Sequence, residues 1–193
     1  MGSEKPKGTI LLANRAQYLN KVLFDEDDIR RAIARLSHEI IESNHGTNDL
    51  ILLGIKTRGQ HIANRISESI NLFENSKVQS HSIDTQNFRD DIKNPKKINE
   101  IFIDISIHEK NLVLVDDVLY TGRTIRASLE AIFSLGRPKS IKLAALVDRG
   151  HREVPIRPDF VGKNIPTSHS ERVKVFMKEV DGMDKIELLR DKS

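Results

Sequence analysis

Short apolar runs that alternate with helical patterns constrain the fold of this chain more than any other feature. The runs lie at 50–55, 112–115 and 141–147. Uninterrupted apolar runs of this length are typical of strands buried on both faces of a parallel sheet. Helical patterns follow the first two runs, so the sequence predicts right-handed βαβ units in an α/β fold with a mainly parallel sheet. Ligands of such sheets bind beyond the carboxyl ends of the strands.

Three helices are predicted from apolar spacing and end signals. The first starts at the acids of 25–28, which suit a helix N-terminus, and stops at Asn44 and Gly46. The second covers 59–73, and the third covers Arg123–Leu135 with Gly136 at its end. The apolar stripe of the first helix recurs about every 3.6 residues and consists of Ile29, Ile33, Leu36, Ile40 and Ile41.

The remaining segments have less regular patterns. Residues 78–83 fit a strand, whereas 85–99 are polar and broken by Pro95, which predicts a long loop. Prolines and glycines exclude a long helix from 148 to 172, and a last strand is expected at 173–177. We expect the region after 148 to form a small subdomain over the edge of the sheet.

Composition narrows the class of protein. The 193 residues suffice for one α/β domain, and the absence of cysteine excludes a disulfide, a thiolate nucleophile and Cys-ligated zinc. No apolar run approaches the roughly 20 residues that span a bilayer, and the first eight residues carry no secretory signal. A cytoplasmic location without a membrane partner is therefore expected. The net charge of +3 is only a weak indication of polyanion binding.

The segment 113–124 carries the most specific chemistry. It reads Val-Leu-Val-Asp-Asp-Val-Leu-Tyr-Thr-Gly-Arg-Thr and joins a buried strand to a helix start, whose unpaired N–H groups favour an anion. The turn that contains Thr121, Gly122 and Thr124 therefore predicts a phosphate cup. Asp116 and Asp117 would repel an anion, so we expect them to face a ribose diol or a metal. The alternative is that they only cap the turn and the helix.

A second unusual turn follows the first buried strand. It reads Lys56-Thr57-Arg58-Gly59 and places two cations and a hydroxyl where the sheet would bind another anionic group, such as pyrophosphate. The alternative is an ordinary surface turn with its cations in water. In either case Arg58 is expected to be exposed and to contribute little to folding.

The segment 113–124 resembles the phosphoribosyl pyrophosphate signature of type I phosphoribosyltransferases. The resemblance implies their fold, a mainly parallel twisted sheet flanked by helices, with a small hood and a flexible loop. It implies Mg²⁺ as cofactor, held through the substrate pyrophosphate, with Asp116 and Asp117 as candidate ligands. The same two acids would act in catalysis and hold the ribose hydroxyls. The ribose and 5-phosphate site would comprise Asp116, Asp117, Val118, Leu119, Tyr120, Thr121, Gly122, Arg123 and Thr124.

The resemblance also implies that Lys56, Thr57 and Arg58 bind pyrophosphate, often beside a non-proline cis peptide. Type I enzymes carry a loop that closes over the substrate where this chain has Phe88-Arg89-Asp90-Asp91. Arg89 is therefore a further pyrophosphate candidate, unless it is a solvated loop arginine.

Three stretches, 54–59, 115–124 and 147–153, resemble one branch of these enzymes, the PyrR family of pyrimidine-operon attenuators. The resemblance runs from roughly Val22 to Met177. It implies conversion of uracil and phosphoribosyl pyrophosphate to UMP and pyrophosphate, coupled to UMP- or UTP-controlled binding of pyrimidine-operon leader mRNA. It also implies a homodimer or a higher homo-oligomer. Candidate base contacts are Arg149 and the backbone of Val173.

We divide the chain accordingly into an extension at 1–20, a phosphoribosyltransferase domain at 21–180 and a C-terminal segment at 181–193. The hood is expected from about 148 to 178.

Two alternatives stay open. A purine enzyme for hypoxanthine and guanine would share the fold, but such enzymes place a lysine where Asp148 stands and an aromatic residue where Arg172 falls, which favours uracil. Asp148 would otherwise be a strand-end acid paired with Arg149. A regulator with little enzyme activity is the second alternative. Its RNA-binding face would consist of Arg30, Arg31, Arg35, His38, His151 and Arg152, unless these charges form only a solvated surface.

Overall fold

The computed structural model describes residues 18–85, 88 and 105–191. The expectations for the first seventeen residues, for most of the 85–99 loop and for Arg89 lie outside the described residues. In chain order the elements are β1 (Tyr18–Phe24), α1 (Glu26–Asn44), β2 (Leu50–Ile55), α2 (Arg58–Glu74), β3 (Gln79–Ile83), β4 (Asn111–Leu119), α3 (Arg123–Leu135), β5 (Ser140–Asp148), β6 (Phe160–Asn164), β7 (Glu171–Phe176), α4 (Lys178–Asp181) and β8 (Lys185–Asp191).

The main sheet has five parallel strands in the order β3-β2-β4-β5-β6. Successive residues of β2 point to opposite faces of the sheet. Leu52 packs with buried residues of α1 and α2 on one face, and Leu53 packs with buried residues of α3 on the other. Because both faces are covered, strands such as Leu50–Ile55 are apolar along their whole length. The predicted fold class is confirmed.

The helix predictions are confirmed by local interactions. Asp25 and Asp28 form a capping box at the start of α1, and the bounds of α3 are those predicted, with Gly136 as its C-cap. The end of α1 differs slightly from the prediction, because His45 is the C-cap and takes the left-handed conformation at φ 56°.

A second sheet was not predicted. It is antiparallel, has the order β1-β8-β7 and joins the two ends of the described chain. The predicted hood of about 148–178 contains β7 but also β6, which belongs to the main sheet. The domain boundaries stay a prediction. No helix in the described part of the chain is both long and apolar enough to cross a membrane.

Candidate active site

The predicted site segments meet at one edge of the main sheet. Strands β2, β4, β5 and β6 are parallel neighbours, so their carboxyl ends lie side by side. The register pairs Leu119 with Asp148 and Asp148 with Asn164. Neighbouring strands lie about 4.8 Å apart, so the distance from β2 to β6 across these four strands is roughly 14 Å. This edge therefore brings together the turns after β2, β4, β5 and β6.

The turn after β2 lies against the end of β4. The Lys56–Thr57 peptide is cis, as the resemblance implied, and α2 begins directly at Arg58. A Cβ on Gly59 would lie 2.4 Å from the Val115 carbonyl oxygen and 3.2 Å from the Asp116 Cα. Only glycine allows this approach, which sets the turn beside the paired acids.

Gly59→Ala is therefore expected to lower the free energy of unfolding by about 1–3 kcal/mol, because the added methyl overlaps backbone that cannot move aside cheaply. Urea unfolding measures the loss. Glu68→Ala, at an exposed position of the same helix, is the control and should change stability little. Equal stability of both variants would contradict the close packing of α2 on β4.

Arg58 is not the exposed turn arginine that the sequence predicted. Its Nε donates to Asp181 Oδ2 at 3.1 Å and its Nη2 to Asp181 Oδ1 at 2.8 Å, with side chains 26% and 17% exposed. The hydrogen bond to Asp181 raises the pKa of Arg58, and the charge of Asp117 adds to this effect. The expected exposure of Arg58 is therefore wrong, whereas its small contribution to folding stays a prediction.

The two acids lie within β4, which extends four residues beyond the predicted run at 112–115. Asp116 is buried, and its Oδ1 accepts a hydrogen bond from the Asp117 N–H at 2.9 Å. Asp117 Oδ1 accepts one from the Val118 N–H, also at 2.9 Å. The residue that caps α3 is Gly122, without a side-chain capping bond. The structure therefore does not support the alternative that the acids cap this helix.

The turn between β4 and α3 is tied to the segment after β5. The Thr121 carbonyl accepts hydrogen bonds from the N–H groups of Glu153 at 2.9 Å and Val154 at 3.3 Å. Gly122 has φ 89°, and a Cβ there would lie 2.5 Å from Val154 Cγ2. The Tyr120 carbonyl accepts from Arg152 Nη1 at 2.9 Å. These contacts fix the turn in front of the α3 N-terminus, where N–H groups can bind a phosphate.

A cavity of about 460 Å³ opens at the ends of β5 and β6. Its lining comprises Asp148, Arg149, Gly150, His151, Asn164, Pro166 and Thr167. Of the two predicted base contacts, Arg149 belongs to the lining, whereas Val173 is partly buried in β7 against the α1 and α2 cluster.

Arg149 connects this cavity to the turn between β4 and α3. Its guanidinium lies 3.8 Å from the centre of the Tyr120 ring, and its Nη2 donates to the Glu171 carbonyl at 2.7 Å. Burial lowers the pKa of Arg149. Sequence spacing gave no signal for Tyr120 or Glu171 as its partners.

Asp148 pairs with Arg152 and not with Arg149, which corrects the expected pairing. Asp148 Oδ2 accepts from Arg152 Nη2 at 2.7 Å, and its Oδ1 accepts from the Gly150 N–H at 2.9 Å. Gly150, with φ 77°, lies between the two arginines: Arg149 stacks on the Tyr120 ring, and Arg152 reaches Asp148.

The six candidate RNA-binding residues fall into two groups. Four lie on α1, where Arg30 and Arg31 are 70% and 61% exposed beside Asp27 and Asp28. Of the other two α1 residues, Arg35 donates to the Val161 carbonyl, and His38 stacks on Phe73 with ring centres 4.2 Å apart.

The second group, His151 and Arg152, lies beside the cavity. His151 Nε2 is 2.6 Å from the Thr167 carbonyl oxygen, and the Arg152 side chain is only 19% exposed. Arg152 therefore lies beside the candidate active site and not on a separate basic face.

Comparison with known proteins agrees with this geometry. Residues 21–179 match the family model of the phosphoribosyl transferase domain, so the chain belongs to the phosphoribosyltransferases. A protein of Clostridioides difficile is 55% identical over 167 residues, covering 85% of this chain and 94% of that protein. One of Leuconostoc mesenteroides is 50% identical over 174 residues, covering 88% and 98%. Both are named bifunctional protein PyrR, and the chain belongs to the PyrR family, as predicted.

A solved structure shares the fold at lower identity. The hypoxanthine phosphoribosyltransferase of Trypanosoma cruzi superposes with a TM-score of 0.69 at 21% identity, covering 89% of this chain and 97% of that one. This likeness supports the architecture and does not bear on which base the chain uses.

Proposed function

We propose that this protein converts uracil and phosphoribosyl pyrophosphate to UMP and pyrophosphate. The observation that carries the proposal is the order of the subsites along the carboxyl ends of the strands: a cationic turn after β2, paired acids in the last part of β4 with a turn that suits an anion after it, and a cavity after β5 and β6. A donor bound across this edge would have its ribose in the middle. Its anomeric carbon would then lie between the departing pyrophosphate and the incoming base.

Each subsite suits one part of the reaction. Uracil N1 bonds to C1 of the ribose while the bond from C1 to the pyrophosphate oxygen breaks, and the N1 proton passes to solvent. Positive charge develops on the ribose, and the carboxylates of Asp116 and Asp117 stabilise it while they accept hydrogen bonds from the diol. The hydroxyls of Thr121 and Thr124 and the start of α3 hold the 5-phosphate. Lys56 and Arg58 stabilise the charge on the leaving pyrophosphate.

Mg²⁺ fits this arrangement as an ion bound with the substrate. Among the described residues no group of three or more His, Cys, Asp or Glu side chains could hold a metal. One or two carboxylates plus substrate phosphates are a usual ligand set for Mg²⁺. Asp116 and Asp117 would supply the carboxylates, and the metal would neutralise charge on the pyrophosphate. The contribution of Arg89 stays a prediction.

The test is incubation of the protein and the donor with labelled uracil, hypoxanthine, guanine or orotate, with and without Mg²⁺. We expect UMP and pyrophosphate from uracil alone, and loss of product when the metal is chelated. Turnover of hypoxanthine or guanine without turnover of uracil would establish the purine alternative. Absence of turnover with every base, while UMP still binds, would favour a regulator with little enzyme activity.

The same chain is proposed to bind pyrimidine-operon leader mRNA under the control of UMP or UTP. Its support is membership of the PyrR family, in which relatives at 50–55% identity are named bifunctional, together with the exposed side chains of Arg30 and Arg31 on α1. A cytoplasmic location and a homodimer or higher homo-oligomer belong to this proposal. Light scattering of the purified protein tests the oligomer.

A further inference from the structure

An acid from the segment between β7 and β8 holds the arginine of the pyrophosphate turn. Asp181, in α4, takes both the Nε and the Nη2 of Arg58 on its two carboxylate oxygens, at 3.1 Å and 2.8 Å. Its Oδ2 also accepts the N–H of Met177, a fully buried residue, at 2.9 Å. The carboxylate is thus fixed from two sides, and it fixes the guanidinium in turn.

The pairing leaves a defined part of Arg58 for a ligand. A guanidinium has five N–H donors in a rigid plane, and the contacts with Asp181 involve the edge made by Nε and Nη2. The opposite edge, which contains Nη1, points away from Asp181. The negative charge of Asp117 contributes to the raised pKa of Arg58. The guanidinium therefore lies within electrostatic reach of this carboxylate.

A second arginine anchors the same segment independently. Arg65 follows Arg58 by seven residues and therefore lies on the same side of α2. It bonds to Glu179 at 2.8 Å and to Asp184 at 2.6 Å. The position of α4 on α2 thus does not depend on Arg58 alone. The anchoring of α4 by Arg65 and the positioning of Arg58 by Asp181 can therefore be tested separately.

We propose that Asp181 is a positioning residue for phosphoribosyl transfer, which orients Arg58 so that its free edge meets the pyrophosphate of the donor. The proposal rests on the function proposed above, in which Arg58 binds pyrophosphate. Charge and orientation act in opposite directions here. Loss of the Asp181 charge alone would strengthen the attraction of pyrophosphate, whereas loss of orientation weakens its binding, because a long flexible side chain must then be ordered by the ligand.

The test measures binding of phosphoribosyl pyrophosphate with Mg²⁺ by calorimetry and its KM in the uracil reaction. Asp181→Asn is expected to weaken donor binding and raise the donor KM about tenfold, with the KM for uracil unchanged. Asp184→Asn is the matched control, since it loosens the same segment through Arg65 and leaves the Arg58 pair intact. It should keep the wild-type donor affinity. In an Arg58→Ala background, Asp181→Asn should have no further effect on donor binding.

Three results would overturn the proposal. Tighter donor binding by Asp181→Asn would mean that Asp181 competes with pyrophosphate. An equal loss in Asp184→Asn would mean that only the anchoring of the segment matters. Wild-type donor affinity of Arg58→Ala would mean that Arg58 does not bind pyrophosphate, so Asp181 could not act by positioning it.

Two further features keep the test decisive. If Asp181→Asn does not fold, Arg58→Lys is the substitute: it keeps the charge but cannot bind Asp181 and pyrophosphate through two edges of one plane, so it should lose donor affinity, although less than Arg58→Ala. Wild-type affinity of Arg58→Lys would contradict the proposal. Because donor binding needs no base, a wrong assignment of uracil would appear as absent UMP formation with donor binding intact.

Discussion

Asp117→Asn is expected to lower the turnover of uracil at least about tenfold, which corresponds to about 1.4 kcal/mol of activation free energy. The substitution keeps the size of the side chain and removes its charge. Asp117 Oδ1 already accepts the Val118 N–H, and an asparagine Oδ1 can still do so, which should preserve the end of β4. The loss would therefore fall on the interaction with the ribose in the transition state.

Steady-state kinetics with varied donor and uracil measure this effect, with thermal unfolding as a check of the fold. Asp49→Asn is the matched control, because Asp49 precedes β2 at the opposite end of the sheet, where it pairs with Lys110. Its turnover should equal that of the wild type. Unchanged kinetics of Asp117→Asn would place this carboxylate outside the site.

The parts of the fold that depend on local patterns were predictable. Strands β2, β3, β4 and β5 and helices α1, α2 and α3 follow from apolar spacing and end signals, because their apolar residues pack on the nearest layer. Strand β6 was not predicted, since it lies in the region after 148 that prolines and glycines interrupt. The strand, turn and helix of the proposed 5-phosphate site were predictable for the same reason, since they are contiguous in 113–124.

The rest depends on contacts between distant residues. Strand β1 pairs with β8, so that Tyr18 lies opposite Asp191, and no local spacing encodes this pairing. The Arg58–Asp181 ion pair joins residues 123 positions apart. Because a turn arginine has no local partner, the sequence predicted a solvated side chain. The contacts of Arg152 could not be predicted for the same reason, since one of its partners is the Tyr120 carbonyl, 32 residues away.

Charge reversal at two candidate RNA contacts should separate the regulatory surface from the active site. Arg31→Glu changes an exposed side chain whose ion pair with Asp28 is local, so it should weaken leader RNA binding and leave uracil turnover near the wild-type value. Arg152→Glu should weaken RNA binding too. It should also lower uracil turnover at least about a hundredfold, which corresponds to about 2.7 kcal/mol of activation free energy. The reason is that a carboxylate would replace the donor that now bonds to oxygen acceptors at this position.

The contacts of Arg152 explain the difference. It donates to the carbonyls of Tyr120 and Ile156 and pairs with Asp148, which lines the cavity. A glutamate there would repel Asp148 and release the turn that is proposed to bind the 5-phosphate. Arg31 has no such link, since its nearest charged partner is one turn away on the same helix.

The measurement is a titration of leader RNA and of an unrelated hairpin, with and without UMP, at two salt concentrations, together with uracil turnover. Specific binding should strengthen with UMP, and UMP should bind more tightly to the RNA complex by the same factor. Affinity should fall steeply with salt, because several phosphates are neutralised. Arg137→Glu, an exposed arginine outside both groups, controls for the change in net charge. Normal turnover of Arg152→Glu would contradict its link to the phosphate turn, and equal affinity for both RNAs would leave the protein as an enzyme only.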